Sequence, residues 1–334
     1  MFLSVIVPLY KEKEISTRFC LDSLINQTFD DMEIIIVDDK ADENNLKLIE
    51  EYKGKCNKIK VINNEAHLGL GSSWNRALFK VMGEYVAFIN PKDYLDTKYY
   101  ELMANVVKTT KSDVSGSDNI LVYEYGSKKG EEEKLHYNDQ SGELDDEKKA
   151  DLIIKPGYLG CKIISKSLLD ENGLWAPDFI SSPDVCLNPL VLMCAKSFAY
   201  VPDAKAYTYK ESGESPEEVY TKCDDRMTAM TYFIEECVKR EFFGDFLDEI
   251  EYRYTEDMFI KNLFTYMSKV PKEMRKPEFS EDLHDGITYT FPEFMNNPYY
   301  EIYDDESIRE LAGIFIESPK KFNKVFSKIL QRQQ

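Results

Sequence analysis

Ser4-Val5-Ile6-Val7-Pro8-Leu9-Tyr10 is an almost unbroken apolar run, and such a run predicts a strand over Ser4 to Leu9 with both faces covered. Working outward, Ile15 to Gln27 carries Phe19, Leu21, Leu24 and Ile25 at helical spacing, and Glu33-Ile34-Ile35-Ile36-Val37 is a second buried strand ending on Asp38-Asp39. A helix over Leu46 to Tyr52, a strand over Lys60 to Asn63, a helix over Ser72 to Met82 and a strand over Tyr85 to Ile89 complete a β-α-β-α-β-α-β order. That alternation calls for a parallel sheet with helices on both faces and with ligands held beyond the carboxyl ends of the strands. Polar residues follow each strand there: Pro8 to Tyr10, Asp38 and Asp39, Asn63 and Asn64, and Asn90 to Asp93. Ordinary loops also place polar groups after strands, so the pattern only favours a site.

The ligand is narrowed by exclusion. The turn after the first strand is Pro8-Leu9-Tyr10-Lys11, without the glycines of a dinucleotide site, and no G-K-[ST] marks a phosphate loop. Gly69-Leu70-Gly71 lacks a third glycine and reads as a turn. A net charge of −19 over 334 residues opposes nucleic acid and anionic membrane surfaces as general partners. Apolar residues at 43% exclude disorder, and no apolar run approaches the ~20 residues that span a bilayer. No basic segment precedes the strand that begins at Phe2, so the expected location is the cytosol. Seven scattered cysteines without C-x-x-C spacing read as reduced, packed thiols.

Beyond Asp93 the pattern predicts a helix over Lys98 to Thr109, a strand-like Ser117 to Tyr125, a charged surface excursion to Lys149, and a mixed segment from Tyr158 to Leu169. Val185 to Lys196 reads as helix, and Phe198 to Val201 and Lys205 to Lys210 as closing strands. The acidic runs Glu131 to Glu133 and Asp145 to Glu147 read as solvated loop. The expected division is 1–210 and 211–334, the second part helical: Pro216 suits a first turn, and Met227 to Val238, Phe246 to Ser268 and Phe322 to Leu330 follow as helices.

The first hundred residues resemble family 2 glycosyltransferases. The resemblance rests on Ser4-Val5-Ile6-Val7-Pro8-Leu9-Tyr10, on Leu21-Asp22-Ser23-Leu24-Ile25-Asn26-Gln27-Thr28-Phe29, on Glu33 to Asp39, and on Gly69, Asn75 and Gly83-Glu84-Tyr85-Val86-Ala87-Phe88-Ile89. It implies an α/β GT-A fold, Rossmann-like with a mostly parallel sheet, followed here by a C-terminal helical region. The implied ligand is a nucleoside-diphosphate sugar, with UDP as the expected carrier, its base beside Pro8, Tyr10 and Asp39. A carboxylate such as Asp39 can accept the N3 hydrogen of uracil, and the Tyr10 ring can line the base pocket. Asp38 reads as a structural cap. Leu9, Glu12, Gly69, Asn75, Asn90, Pro91 and Lys92 complete the candidate nucleotide-sugar contacts. The implied acceptor is a hydroxyl of a surface glycan or a lipid-linked saccharide.

Several positions depart from the family pattern. Where the family carries D-x-D, this chain reads Asn90-Pro91-Lys92-Asp93, so the metal-coordinating aspartate has become a lysine. The expected manganese or magnesium ion is thereby weakened: Lys92 either supplies charge to the diphosphate directly, making binding metal-independent, or marks a noncatalytic relative that binds a nucleotide sugar or a partner protein. Asp93 keeps one coordinating carboxylate. The base of an inverting transfer, usually in an E-D pair, falls on Asp184 of Pro183-Asp184, which can equally be a helix cap. The family's arginine-asparagine pair reads Trp74-Asn75, with Trp74 expected to pack. Lys162 and Tyr209-Lys210-Glu211-Ser212 are loose counterparts of the family's donor-side residues, a surface position being the default for Lys162. A nucleotidyltransferase is disfavoured, since no glycine-rich basic loop follows the first strand. A homodimer, a peripheral contact at the inner membrane face, and packing of the tail on the sheet stay open.

Overall fold

The computed structural model describes residues 1–210, 213–303 and 306–333. The chain divides into two compact units, Met1–Ser212 and Gly213–Gln334. The first unit is built on β1 (Leu3–Leu9), β2 (Met32–Asp38), β3 (Ile59–Asn63) and β4 (Tyr85–Phe88), joined by α1 (Glu14–Ile25), α2 (Glu43–Lys55) and α3 (Gly69–Leu78). These strands pair in parallel in the order β3-β2-β1-β4. All their carboxyl ends therefore open on one edge.

The residues explain the layering. Val5, Val7 and Leu9 of β1 join Ile34 and Ile36 of β2 in a core that α1 and α2 cover with Leu21, Leu24, Leu48 and Ile49. The alternate residues Ile6 and Ile35 are equally buried. On their side Phe88, which pairs with Ile6, meets the Trp74 ring of α3 at 4.6 Å. A strand buried on both faces has no place for polar alternation, which is why these read as continuous apolar runs. Trp74 packs, as the sequence suggested.

The rest of the unit is more mixed. After β5 (Asp93–Leu95) and α4 (Tyr99–Thr110) come β6 (Val114–Gly116), β7 (Asn119–Val122), β8 (Glu131–Glu133), β9 (Gly142–Glu143), α5 (Asp146–Ile154), β10 (Lys162–Ser165), α6 (Lys166–Glu171), α7 (Asp184–Cys194), β11 (Ser197–Tyr200) and β12 (Ala206–Tyr209). The main sheet continues β4-β10-β6-β11-β9, with β10 antiparallel to both neighbours, and β5-β12-β7-β8 form a second sheet. The mostly parallel α/β architecture agrees with the sequence reading.

Three local readings are corrected. Glu131 to Glu133 is not free loop: it pairs antiparallel with β7, and Glu133 accepts from Asn119 Nδ2 at 2.9 Å. Asp145 caps α5, its carboxylate accepting from the Lys148 amide at 2.9 Å. Lys162 is fully buried rather than at the surface, its Nζ donating to the carbonyls of Pro156 at 2.5 Å and Tyr158 at 3.0 Å. Asn188 reaches the same loop through the Pro156 and Gly157 carbonyls, so β10 and α7 together fix residues 156–158.

In the second unit, α8 (Pro216–Lys239) starts with the expected proline and a reciprocal cap: Ser215 Oγ accepts from the Glu218 amide, and Glu218 accepts from the Ser215 amide at 2.7 Å. The predicted helix over Phe246 to Ser268 is composite. α9 (Phe243–Thr255) leads through a π-helical stretch, Glu256–Leu263, into α10 (Phe264–Lys269). Asp257, buried in that stretch, bonds Arg226 and Arg253; burial pushes its carboxyl up, but Arg253, Lys261 and Arg226 hold it below the usual range. Helices α11 (Pro277–Thr290), α12 (Pro298–Tyr303), α13 (Glu306–Glu317) and α14 (Pro319–Gln333) follow, with Phe259, Phe315, Phe322 and Phe326 clustered among them.

Burial lowers the pKa of Lys162 to about 7, against about 10.4 in an unfolded chain. Between those values the unfolded state binds the extra proton, so this group makes stability rise with pH from about 7 to about 10 and removes its contribution as pH falls through about 7. Thermal unfolding followed over pH 7 to about 10 is expected to lose that slope in Lys162→Met. An unchanged slope would contradict the buried-amine assignment.

Candidate functional site

The edge at the carboxyl ends is organised by Asp39. Its amide donates to the Leu9 carbonyl at 2.9 Å, which carries the buried side chain in beside the end of β1. Four donors converge on the carboxylate. Asn64 Nδ2 (2.7 Å) and the Leu68 amide (2.8 Å) reach Oδ1, while the Gly69 amide (2.9 Å) and His67 Nδ1 (2.8 Å) reach Oδ2. A carboxylate offers about four lone-pair sites, so this one is fully engaged. Asp38 is the turn cap expected, accepting from the Ala41 amide at 2.8 Å.

The exposed His67 ring stacks on Tyr10, with centroids 3.7 Å apart and planes 11° from parallel. Lys11 Nζ lies 5.0 Å from the centroid of the same Tyr10 ring. His67 was missed in the sequence because a lone exposed histidine carries no signal until Asp39 and Tyr10 are seen to share it. A planar base seeking both Tyr10 and Asp39 meets the imidazole at both.

The 69–75 segment adjoins Asp39 through the Gly69 amide. Gly69 has φ +81°, and a Cβ on Gly71 would lie 2.0 Å from the Pro177 carbonyl oxygen, so neither position accepts a larger residue without rearrangement. Asn75 uses both ends of its amide on Ala176, Nδ2 to O at 2.8 Å and Oδ1 from N at 3.0 Å. Ser72 Oγ donates to Asp178 at 2.8 Å and accepts from the Phe179 amide at 3.1 Å. Gly69 and Asn75, which the family resemblance marks as ligand contacts, are thus engaged in fixing Asp39 and the 176–180 loop. That loop leads directly to Asp184.

Across the opening, Asn90 caps its own turn, Oδ1 accepting from the Lys92 amide at 3.0 Å while its carbonyl receives the Asp93 amide at 2.9 Å. Pro8, Leu9 and Pro91 are buried; Asn90 is exposed, and Glu12, Lys92 and Asp93 are half-buried. Cys20 Sγ sits 3.8 Å from the Asn90 carbonyl. Burial first, then the charges of Asp93 and Glu12, raise its thiol well above the ordinary value, so both carboxylates stand near this turn. Asp93 pairs with Thr208 of β12. Burial and the Asp184 charge push the Asp93 carboxyl up to about 7, while the Thr208 hydroxyl and Lys92 oppose that rise.

Asp184 is the first residue of α7, and no side-chain cap closes the helix start, where Pro183 stands. Its carboxylate stands in the first turn of that helix. The structure brings Asp93 and Asp184 within electrostatic reach of each other, on separate elements. Two carboxylates are fewer anionic oxygens than a hard cation takes from protein alone, and no cluster of three or more potential ligands occurs among the described residues. An ion here would need oxygens from the donor itself. Tyr209 stacks on Tyr125 at 3.8 Å, and Glu211 and Ser212 fall outside the described residues.

Comparison with known proteins gives the family. The family model described as Glycosyl transferase family 2 matches residues 4–173. A poly(ribitol-phosphate) beta-glucosyltransferase of Bacillus spizizenii is 34% identical over 118 residues, 34% of this chain and 18% of that protein. The poly(ribitol-phosphate) beta-N-acetylglucosaminyltransferase TarS of Staphylococcus aureus is 26% identical over 262 residues, 74% of this chain and 44% of its own length. The matched region thus spans less than half of either relative. The crystal structure of S. aureus TarS 1-349 in complex with UDP-GlcNAc superposes with a TM-score of 0.69 at 22% identity, covering 100% of this chain and 93% of that one. With half of its length matched by that family model, this chain belongs to glycosyl transferase family 2.

Proposed function

We propose that the first unit transfers a sugar, with inversion, from a UDP-sugar to a hydroxyl of a surface glycan or lipid-linked saccharide. The observation that carries this reading is the electrostatic proximity of Asp184, in the first turn of α7, to Asp93, just beyond the end of β4. In the proposed step Asp184 takes the proton of the acceptor hydroxyl as that oxygen bonds to the anomeric carbon. The bond from the anomeric carbon to the diphosphate oxygen breaks, and UDP leaves with the electron pair. Attack and departure on opposite sides of one carbon invert it.

Lys92 is proposed to offset the leaving diphosphate charge as a point cation, without a required metal. The UDP complex of the structurally similar TarS and the poly(ribitol-phosphate) acceptors in relatives' names support the donor and an anionic polyol acceptor. Work at the inner membrane face fits a lipid-linked acceptor, and no helix among the described residues is long and apolar enough to cross a membrane.

Two measurements test the reading. Asp184→Asn is expected to lower the transfer rate by about 10²–10⁴-fold with donor affinity kept. Undiminished transfer would remove Asp184 as the base, and detectable wild-type turnover removes the noncatalytic alternative. His67→Ala, which frees one face of Tyr10 and one acceptor position on Asp39 Oδ2, is expected to tighten UDP by about three- to tenfold in calorimetry. Weakened UDP binding would instead place the imidazole among the donor contacts.

A further inference from the structure

The second unit holds a cavity of about 490 Å³ between the turn at 272–277, α10, α11 and the face of α14. Its floor is apolar, with Tyr266 the largest ring, and no carboxylate lines it. Lys272, Lys324 and Lys328 stand around it, and none of the three has an acidic partner among the described residues. In a chain with net charge −19 a cavity lined by cations and no carboxylate reverses the overall sign locally.

The neighbouring charges sharpen the point. Helix α14 contains no acidic residue. Its outer lysines are paired, Lys320 with Glu281 at 3.3 Å and Lys321 with Glu317 at 2.6 Å, whereas Lys324 and Lys328 are exposed on the cavity side. Like charges four residues apart on a helix repel, a cost that a bound anion relieves. The wall is also braced: Arg275 spends its guanidinium on the Val270 carbonyl (2.8 Å), the Met267 carbonyl (2.7 Å) and Ser327 Oγ (3.0 Å), so α14 is tied to the segment that carries Lys272.

We propose that this cavity holds a phosphodiester group of an anionic polyol-phosphate acceptor chain, the lysine ammonium groups meeting the phosphate oxygens and the apolar floor meeting the polyol carbons. The assignment of the ligand as acceptor rests on the sugar-transfer reading; the phosphate binding itself does not. A concave site suits one chain better than a membrane surface, which the protein's overall charge repels, while a single phosphate inside the cavity lies within a Debye length of the lysines. The volume falls in the range of small-ligand sites, roughly 300–1,000 Å³.

The test titrates a short synthetic ribitol-phosphate oligomer into the full chain and into Lys324→Gln/Lys328→Gln, with Lys272→Gln as an independent second variant. Both variants are expected to bind the oligomer at least about tenfold more weakly than wild type, because charge-assisted hydrogen bonds are lost. UDP titrated into the same proteins is expected to bind equally. Equal oligomer binding by wild type and variants, or none by wild type, overturns the proposal. So does binding confined to phosphatidylglycerol vesicles, which would assign the cavity to a membrane surface. A wild-type chain that binds the oligomer but not UDP would sink the transfer reading and leave the phosphate site standing.

Discussion

The Asp39 carboxylate is the constraint on which the rest of the site depends. A buried anion is costly to leave bare. Here it draws in a side chain from the end of β3, two amides from the start of α3 and an imidazole from the turn between them. That convergence fixes where α3 begins, and α3 in turn holds the 176–180 loop through Ser72, Gly71 and Asn75. The loop delivers Asp184 to the opening. Under the proposed function, a change at Asp39 would be felt both as lost donor recognition and as a displaced base, although no bond joins the two carboxylates directly.

The same geometry sets a competition. Tyr10 and Asp39 are the two groups that the proposed donor site offers a uracil base, and His67 engages both at once. Because His67 is exposed, its ring can leave without opening the core. Under the proposed function, donor binding exchanges one flat heterocycle for another.

How far this was legible in the sequence follows from which interactions are local. The four parallel strands were readable because double-sided burial writes them as apolar runs, and the sheet edge followed from their direction. The antiparallel β10 and the second sheet were not, since their pairings join residues far apart in sequence, such as Asp93 with Thr208. Lys162 misled for a related reason: composition places lysines outside, and only the carbonyls of the 156–158 loop explain this one inside. Net charge likewise concealed the basic cavity, because an average over 334 residues says nothing about three lysines brought together by a fold. The departures at Lys92 and Asp184 were visible as residues, but their relation to Asp93 was not.

The most direct test of this account is a crystal structure of the chain soaked with UDP. The account predicts uracil stacked on Tyr10 with its N3 hydrogen on Asp39, the His67 ring displaced, and the Asn64, Leu68 and Gly69 donors retained. A base bound elsewhere, with the Tyr10–His67 stack and all four Asp39 donors unchanged, would contradict it.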